Sequence, residues 1–308
     1  PLAQGASVAF GVSVVTFFLT RLVLDDPGLI SARAASGGLS PPAALVARFQ
    51  REYGTDRPVL VQFAAWIGDL LRFDLGDSYQ YKELSVAQLV GAGLGTTLLM
   101  ALAAIVCASV IGLALGLAVA ARRSRALDSA FRSAATLSLA APQALVGLAL
   151  ILILSVQARL FPAGGWGTGY PDNFRYLALP VATLTIALAP LVFRITRERA
   201  LEVQGEGHVE AARSRGLAAG RILTRHVLPN CAAPVITAVA MSLGGLISGA
   251  VIVEMVFGMP GIGHVLTAAL GTSDYPVIQA MTLLTGMAIV VCNMVSEIAN
   301  RALDPRMR

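Results

Sequence analysis

Six stretches of this 308-residue chain carry no Asp, Glu, Lys or Arg: 1 to 20, 84 to 121, 133 to 158, 176 to 193, 226 to 253 and 275 to 296. A helix that crosses ~30 Å of hydrocarbon needs ~20 mainly apolar residues, because its backbone polar groups must be satisfied within the segment itself. Six spans fit these runs. Composition agrees, with 56% hydrophobic and only 13% charged residues and a mean hydropathy of +0.72, more apolar surface than a soluble core of this size takes up. Residues 1 to 20 read as a truncated first span rather than a signal peptide, having no initiating Met, no basic leader and no small-residue cleavage site.

Charge between the runs sets an orientation. If spans alternate, residues 121 to 132, 194 to 225 and 301 to 308 share one side, and they hold 14 of the 23 basic residues. That side is expected to be cytoplasmic, with both termini inside. Seven more basic residues lie between Arg21 and Lys82, in an outer segment long enough to translocate regardless of charge. Within it, Leu45 and Phe49, then Val59, Phe63, Ile67 and Leu71, repeat at four-residue intervals after Pro41 and Pro42. This spacing predicts two amphipathic helices in a small external cap. Trp66 and the pair Tyr79 and Tyr81 suit a membrane interface.

Several function classes lose support on the same grounds. Net charge is +5, but the arginines sit in loops between spans and form no single basic face for nucleic acid. Cys107, Cys231 and Cys292 have no CxxC spacing and read as packing residues. His208, His226 and His264 lack paired ligand spacing, so no metal site is expected. The chain shows no catalytic constellation, and its only lysine, Lys82, is not in a phosphate-binding loop. Gly112-xxx-Gly116 and Gly245-xxx-Gly249 read as close helix packing.

The informative loop segment runs from Gly205 to Gly216. Glu206 and Glu210 suit the positive start of a helix, Arg213 and Arg215 suit its negative end, and Gly216 can take a left-handed stop. Only about two turns fit between, too few to be stable alone in water. Ala211 and Ala212 offer little bulk, so a partner's groove could approach while Glu210 anchors by charge. Two readings stand on local physics, a docking element for another protein and a structural elbow between spans.

Glu210-Ala211-Ala212-x3-Gly216, followed after nine residues by His226-x-Leu228-Pro229, resembles the EAA signature of bacterial ABC importer permeases. A branched aliphatic residue usually stands where His226 is, and Arg225-His226-Val227-Leu228-Pro229-Asn230 resembles the dipeptide/oligopeptide/nickel branch, its B-type permease subunit in particular. The resemblance covers nearly the whole chain. It includes Arg21-Leu22-Val23 with Asp26-Pro27, Phe73 to Ser78, Phe161-Pro162-Ala163-Gly164-Gly165, Val253 to Gly263, Asp274 to Gln279 and the tail Leu303-Asp304-Pro305-Arg306.

What the resemblance implies is an all-α, type I importer permease: a first span at 1–24, an external helical cap at 25–90 and a five-span core at 91–308. A cytoplasmic coupling loop at 194–228 would use Glu206, Glu210, Ala211, Ala212, Arg213, Gly216, His226 and Pro229. Implied partners are a homologous C-type permease subunit, two cytoplasmic ATPase subunits that carry ATP and Mg, and an extracytoplasmic substrate-binding protein. The chain itself would be no enzyme and hold no cofactor. The cargo would be a dipeptide or oligopeptide, with a nickel chelate or other small cargo as the alternative. An ion-gradient carrier is the competitor from another class, and it predicts mid-span charges that these runs lack.

Two polar residues near the apolar runs have double readings. Gln143, after Pro142, either faces a water-filled path or packs against another helix. Glu254 either bonds to amides of the turn from Gly258 to Gly263 or acts as a gate or substrate contact.

Overall fold

The computed structural model describes residues 2–37, 39–80, 84–122, 124–169 and 171–303, and their side chains except those of 2–6, 293 and 295–303. Tyr81, Lys82 and the tail Asp304-Pro305-Arg306 lie outside the described residues. Helices in chain order are α1 (Leu2–Val23), α2 (Pro27–Ala35), α3 (Ala43–Tyr53), α4 (Val59–Leu71), α5 (Val86–Arg122), α6 (Arg125–Ala140) and α7 (Gln143–Leu150), which widens into i→i+5 turns at Ile151–Gln157. Then come α8 (Asn173–Gln204), α9 (Gly207–Ser214), α10 (Ala219–Ile222), a wide turn at Leu223–Val227, α11 (Leu228–Phe257), α12 (Ile262–Thr272) and α13 (Tyr275–Leu303).

Among the described residues, four stretches are long and apolar enough to cross a membrane unbroken: α5, α8, Ala219–Phe257 and Tyr275–Cys292. Two bent pairs bring the number to six if each is one span, Ser7–Val23 with α2 at 46° and α6 with Gln143–Gln157 at 106°. The run at 133 to 158 is therefore not the straight span that its composition predicts. Pro142 explains the break: its ring bars the helical conformation from the residue before it, and Ala141 is extended at φ −76°, ψ 128°. Phe10, Val106 and Met241 remain 58%, 61% and 63% exposed on these helices, which is tolerable where lipid is the solvent.

The chain divides into two compact units, one of residues 1–97 and 259–290, the other of 98–258 and 291–308. In the first, α3 and α4 form over the stretches that the four-residue spacing predicts, and α2 is a further helix there, capped by Asp26 Oδ1 accepting from Gly28 N at 2.9 Å. Helix α12 was not anticipated, although Ile262, Val265, Leu266 and Ala269 follow a helical period. Its amide at Ile262 donates to Thr97 Oγ1 at 3.1 Å, where Gly93 leaves no room for a Cβ. Tyr79 stacks on Tyr53 at 3.9 Å between ring centres. Burial pushes its hydroxyl up to about 12.

The second unit is built on close approach. A Cβ on Gly112 would sit 2.6 Å from Val192 Cβ, and one on Gly116 2.7 Å from Thr196 Cβ, so the Gly112-xxx-Gly116 pair is the seam between α5 and α8. Gly245 has open space, whereas Gly249 is filled by Gln143. Pro190 within α8 cannot donate to the carbonyl of Ile186, and Ser138 Oγ of α6 donates to that oxygen at 2.6 Å instead. Gly164 and Gly165 lie against the end of α11, where Gly165 N donates to Phe257 O at 2.8 Å.

Opposite signs are expected at the two kinds of glycine. Gly112→Val should lower the unfolding free energy in detergent by about 1–3 kcal/mol through overpacking, while Gly245→Ala should raise it by roughly 0.5–1 kcal/mol. Thermal or denaturant unfolding of the two variants checks this, and equal effects would refute the seam.

Candidate functional site

The 194–228 segment is mostly helix. Helix α8 carries Arg194, Arg197 and Arg199 well past the apolar run and ends where Gly205 N bonds to Glu202 O at 2.9 Å. Helix α9 follows after two residues, with Glu206 as its N-cap in extended conformation (φ −77°, ψ 146°). The carbonyl of Glu206 takes the Val209 and Glu210 amides at 3.0 and 3.2 Å. Its carboxylate turns elsewhere, to His208 Nδ1 at 3.3 Å and toward Arg199 Nη2 of α8 at 3.9 Å, while Arg199 Nη1 pairs with Glu202 at 2.6 Å.

The stop at Gly216 forms as its residue type predicts. Gly216 is left-handed at φ +76°, its amide donates to Arg213 O at 3.0 Å, and Leu217 N reaches back to Ala212 O at 3.3 Å. This paired closure satisfies carbonyls that a two-turn helix would leave bare.

What steadies so short a helix is first of all its own chain. Val209 and Ala212, three apart and so on one face, are 0% and 5% exposed. They pack with Leu117 and Ala120 of α5, Ala200 and Val203 of α8, and Ile222, Val227 and Cys231 around the start of α11. Ala212 is therefore turned inward, which departs from its expected role as an open surface for a partner. Glu210, Ala211, Arg213 and Ser214 are exposed on the other side. The signal for this division was in the sequence, since Val209 is the one large apolar residue of the helix.

His226 and Pro229 lie where the wide turn feeds α11. Leu228 N bonds to Leu223 O, one residue further back than in an α-helix, immediately before Pro229, whose ring would meet the carbonyl four residues behind it in regular winding. Asn230 Nδ2 donates to His226 O at 2.7 Å. The rings of His226 and His208 are 6.1 Å apart, so the structure joins the two parts of the motif across the nine residues between Gly216 and His226. Nearby, Asp128 of α6 grips Arg197 of α8 at two points, one of them Nη2 to Oδ2 at 2.7 Å, an ion pair that the sequence reading missed.

Gln143 and Glu254 belong elsewhere. Gln143 opens α7 against Gly249, and its Oε1 is buried with no hydrogen-bond partner among the described residues. Glu254 is 0% exposed, roughly 37 Å along α11 from Pro229 by the rise of a helix. Neither joins the α9 cluster. His208, Glu206 and His226 form no metal-holding group among the described residues.

Residues 112–308 match the family described as the binding-protein-dependent transport system inner membrane component. The chain belongs to this family. Relatives span it from end to end: a peptide permease of Brucella suis is 33% identical over 100% of this chain and 97% of its own length. The oligopeptide transport system permease protein AppB of Bacillus subtilis is 31% identical over 97% of this chain and 95% of itself. An inward-facing structure of the methionine ABC transporter MetNI superposes with a TM-score of 0.54 at 18% identity, covering 70% of this chain and 96% of that one. The fold is thus that of a type I ABC importer permease, and the chain is a multi-pass inner membrane subunit that works with ATPase and substrate-binding partners, the catalytic step residing on the former.

The left-handed stop offers a direct check on this permease. Gly216→Ala places a Cβ in a region that costs about 1–2 kcal/mol, and amide exchange across Val209–Leu217 should speed up by roughly 5- to 30-fold. Exchange within α8 should stay as it is; an unaltered α9 would count against the closure described above.

Proposed function

We propose that this permease subunit imports dipeptides or oligopeptides, and that α9 is the element through which ATP hydrolysis on a partner reaches the spans. One observation carries the second part: α9 is half sunk into the ends of α5, α8 and α11 through Val209 and Ala212 while Glu210, Ala211 and Arg213 stand open. A segment built that way passes a push on its outer face into three long helices, because a packed core yields as a unit rather than deforming locally. The relatives' peptide cargo supports the choice of substrate.

The remaining assembly follows the same reading. A homologous C-type subunit completes the path, two ATPase subunits dock below, and an extracytoplasmic binding protein delivers cargo from above. Both termini lie in the cytoplasm, which agrees with the 14 basic residues gathered on the side of α9. His226 and Pro229 set how α11 leaves the loop, Glu206 starts α9, and Gln143 and Glu254 are candidates for the path or its gate.

Glu210→Ala and Ala211→Phe test the coupling by opposite means, removing a charge and adding bulk on the open face. Each is expected to lower binding-protein-stimulated ATP turnover in reconstituted vesicles about tenfold or more while membrane insertion is unchanged. Full stimulation in both variants would overturn the assignment of α9.

A further inference from the structure

Arg21, at the last turn of α1, lines a cavity of about 280 Å³ within the first unit. Arg57 and three carboxylates, Asp69, Asp74 and Asp77, share its wall. Among the described residues, no ion pair joins any two of these five groups. Arg57 and the three aspartates are exposed and met by water, whereas Arg21 is half-buried, so its charge is the one that a partner in the cavity would stabilise most.

The Arg21 guanidinium is held ready. It lies over the Phe17 ring at 3.5 Å, and Nε and Nη2 both donate to Gln62 Oε1, at 3.0 and 2.8 Å. Gln62 is fixed in turn by its own Nε2 donating to Arg57 O at 2.8 Å, which also settles which end of the amide faces Arg21. With Nη1 to Phe17 O at 3.5 Å, three of the five N–H donors of an arginine have acceptors. Two remain, and none of the acceptors in place is a carboxylate. On the acidic part of the wall, Asp74 Oδ1 already takes the Gly76 amide at 2.9 Å, while the Asp69 carboxylate has no hydrogen bond among the described residues. Trp66 and Tyr275 add aromatic wall.

We propose that this cavity is a receptor for a small zwitterion, a free amino acid or a dipeptide with unblocked termini. The carboxylate pairs with Arg21 and the ammonium is met from the Asp69 part of the wall. The volume is at the low end for ligand pockets, which limits the occupant to that size. The choice of a peptide rests on the transport reading above, but the receptor is tested by binding and not by transport.

The experiment uses the permease with its ATPase and permease partners in nanodiscs, without the binding protein, and equilibrium dialysis of labelled L-alanyl-L-alanine, its C-terminal amide and its N-acetyl form. Saturable binding of the free dipeptide is expected, at least about tenfold weaker for the amide. Arg21→Gln should bind the free dipeptide as weakly as wild type binds the amide, and Asp69→Asn should no longer distinguish the free from the acetylated form. No saturable binding in wild type, or equal affinity for the free and amidated forms, overturns the proposal. Should Arg21→Gln fail to fold, the blocked peptides on wild type and Asp69→Asn decide the matter. ATP-driven uptake is scored separately: uptake without binding here removes the receptor and leaves the importer, and binding without uptake does the reverse.

Discussion

Lipid offers helices no hydrophobic reward for meeting one another, so this structure depends on backbone groups being satisfied and on helices coming very close. Gly112 and Gly116 let α5 touch α8 at distances that no side chain would permit. At Pro190 the cost of a missing amide is offset by a hydroxyl from another helix, Ser138 on Ile186 O. The end of α11 is handled the same way, with Gly165 closing on Phe257 O and Gly258 left-handed at φ +59°. Each device is polar or small.

The same constraint shapes α9. Two turns of helix lose more in ordering than their few hydrogen bonds return, so the segment holds its form only through contacts beyond itself. Val209 supplies the apolar anchor, and Ala212 lets the backbone come near. Those contacts are with α5, α8 and the base of α11. Rigidity here is a property of the packing and not of the helix.

Much of this was legible in the sequence, and what was not has a common cause. The helices α3 and α4 follow from apolar spacing, and Gly216 from the one residue type that accepts a left-handed stop. The inward turn of Ala212 was not foreseen, because an alanine carries no sign of which face it occupies and only its three-residue spacing from Val209 gives it away. The 106° bend at Pro142 escaped a reading based on charge-free runs, since such runs register length and polarity but not direction. Asp128 with Arg197 and Asp274 with Ser78 were out of reach for another reason: they join residues 69 and 196 positions apart.

That last pair belongs to a set of contacts that joins the scattered short motifs of the first unit. Asp274, 2% exposed, accepts from Ser78 Oγ at 2.5 Å and from the amides of Tyr79 and Gln80. Tyr275 Oη donates toward the carbonyls of Leu24 and Asp25, and Gln279 Nε2 donates to Thr20 Oγ1. Asp26, besides capping α2, takes Gln50 Nε2 at 2.5 Å. Motifs near residues 21, 26, 78 and 275 are thus parts of linked polar attachments between segments far apart in the chain. A buried carboxylate that loses one of several such donors is left with an uncompensated charge, so the residues at both ends of each contact are constrained together. Such a framework also fixes the wall in which Arg21 stands unpaired.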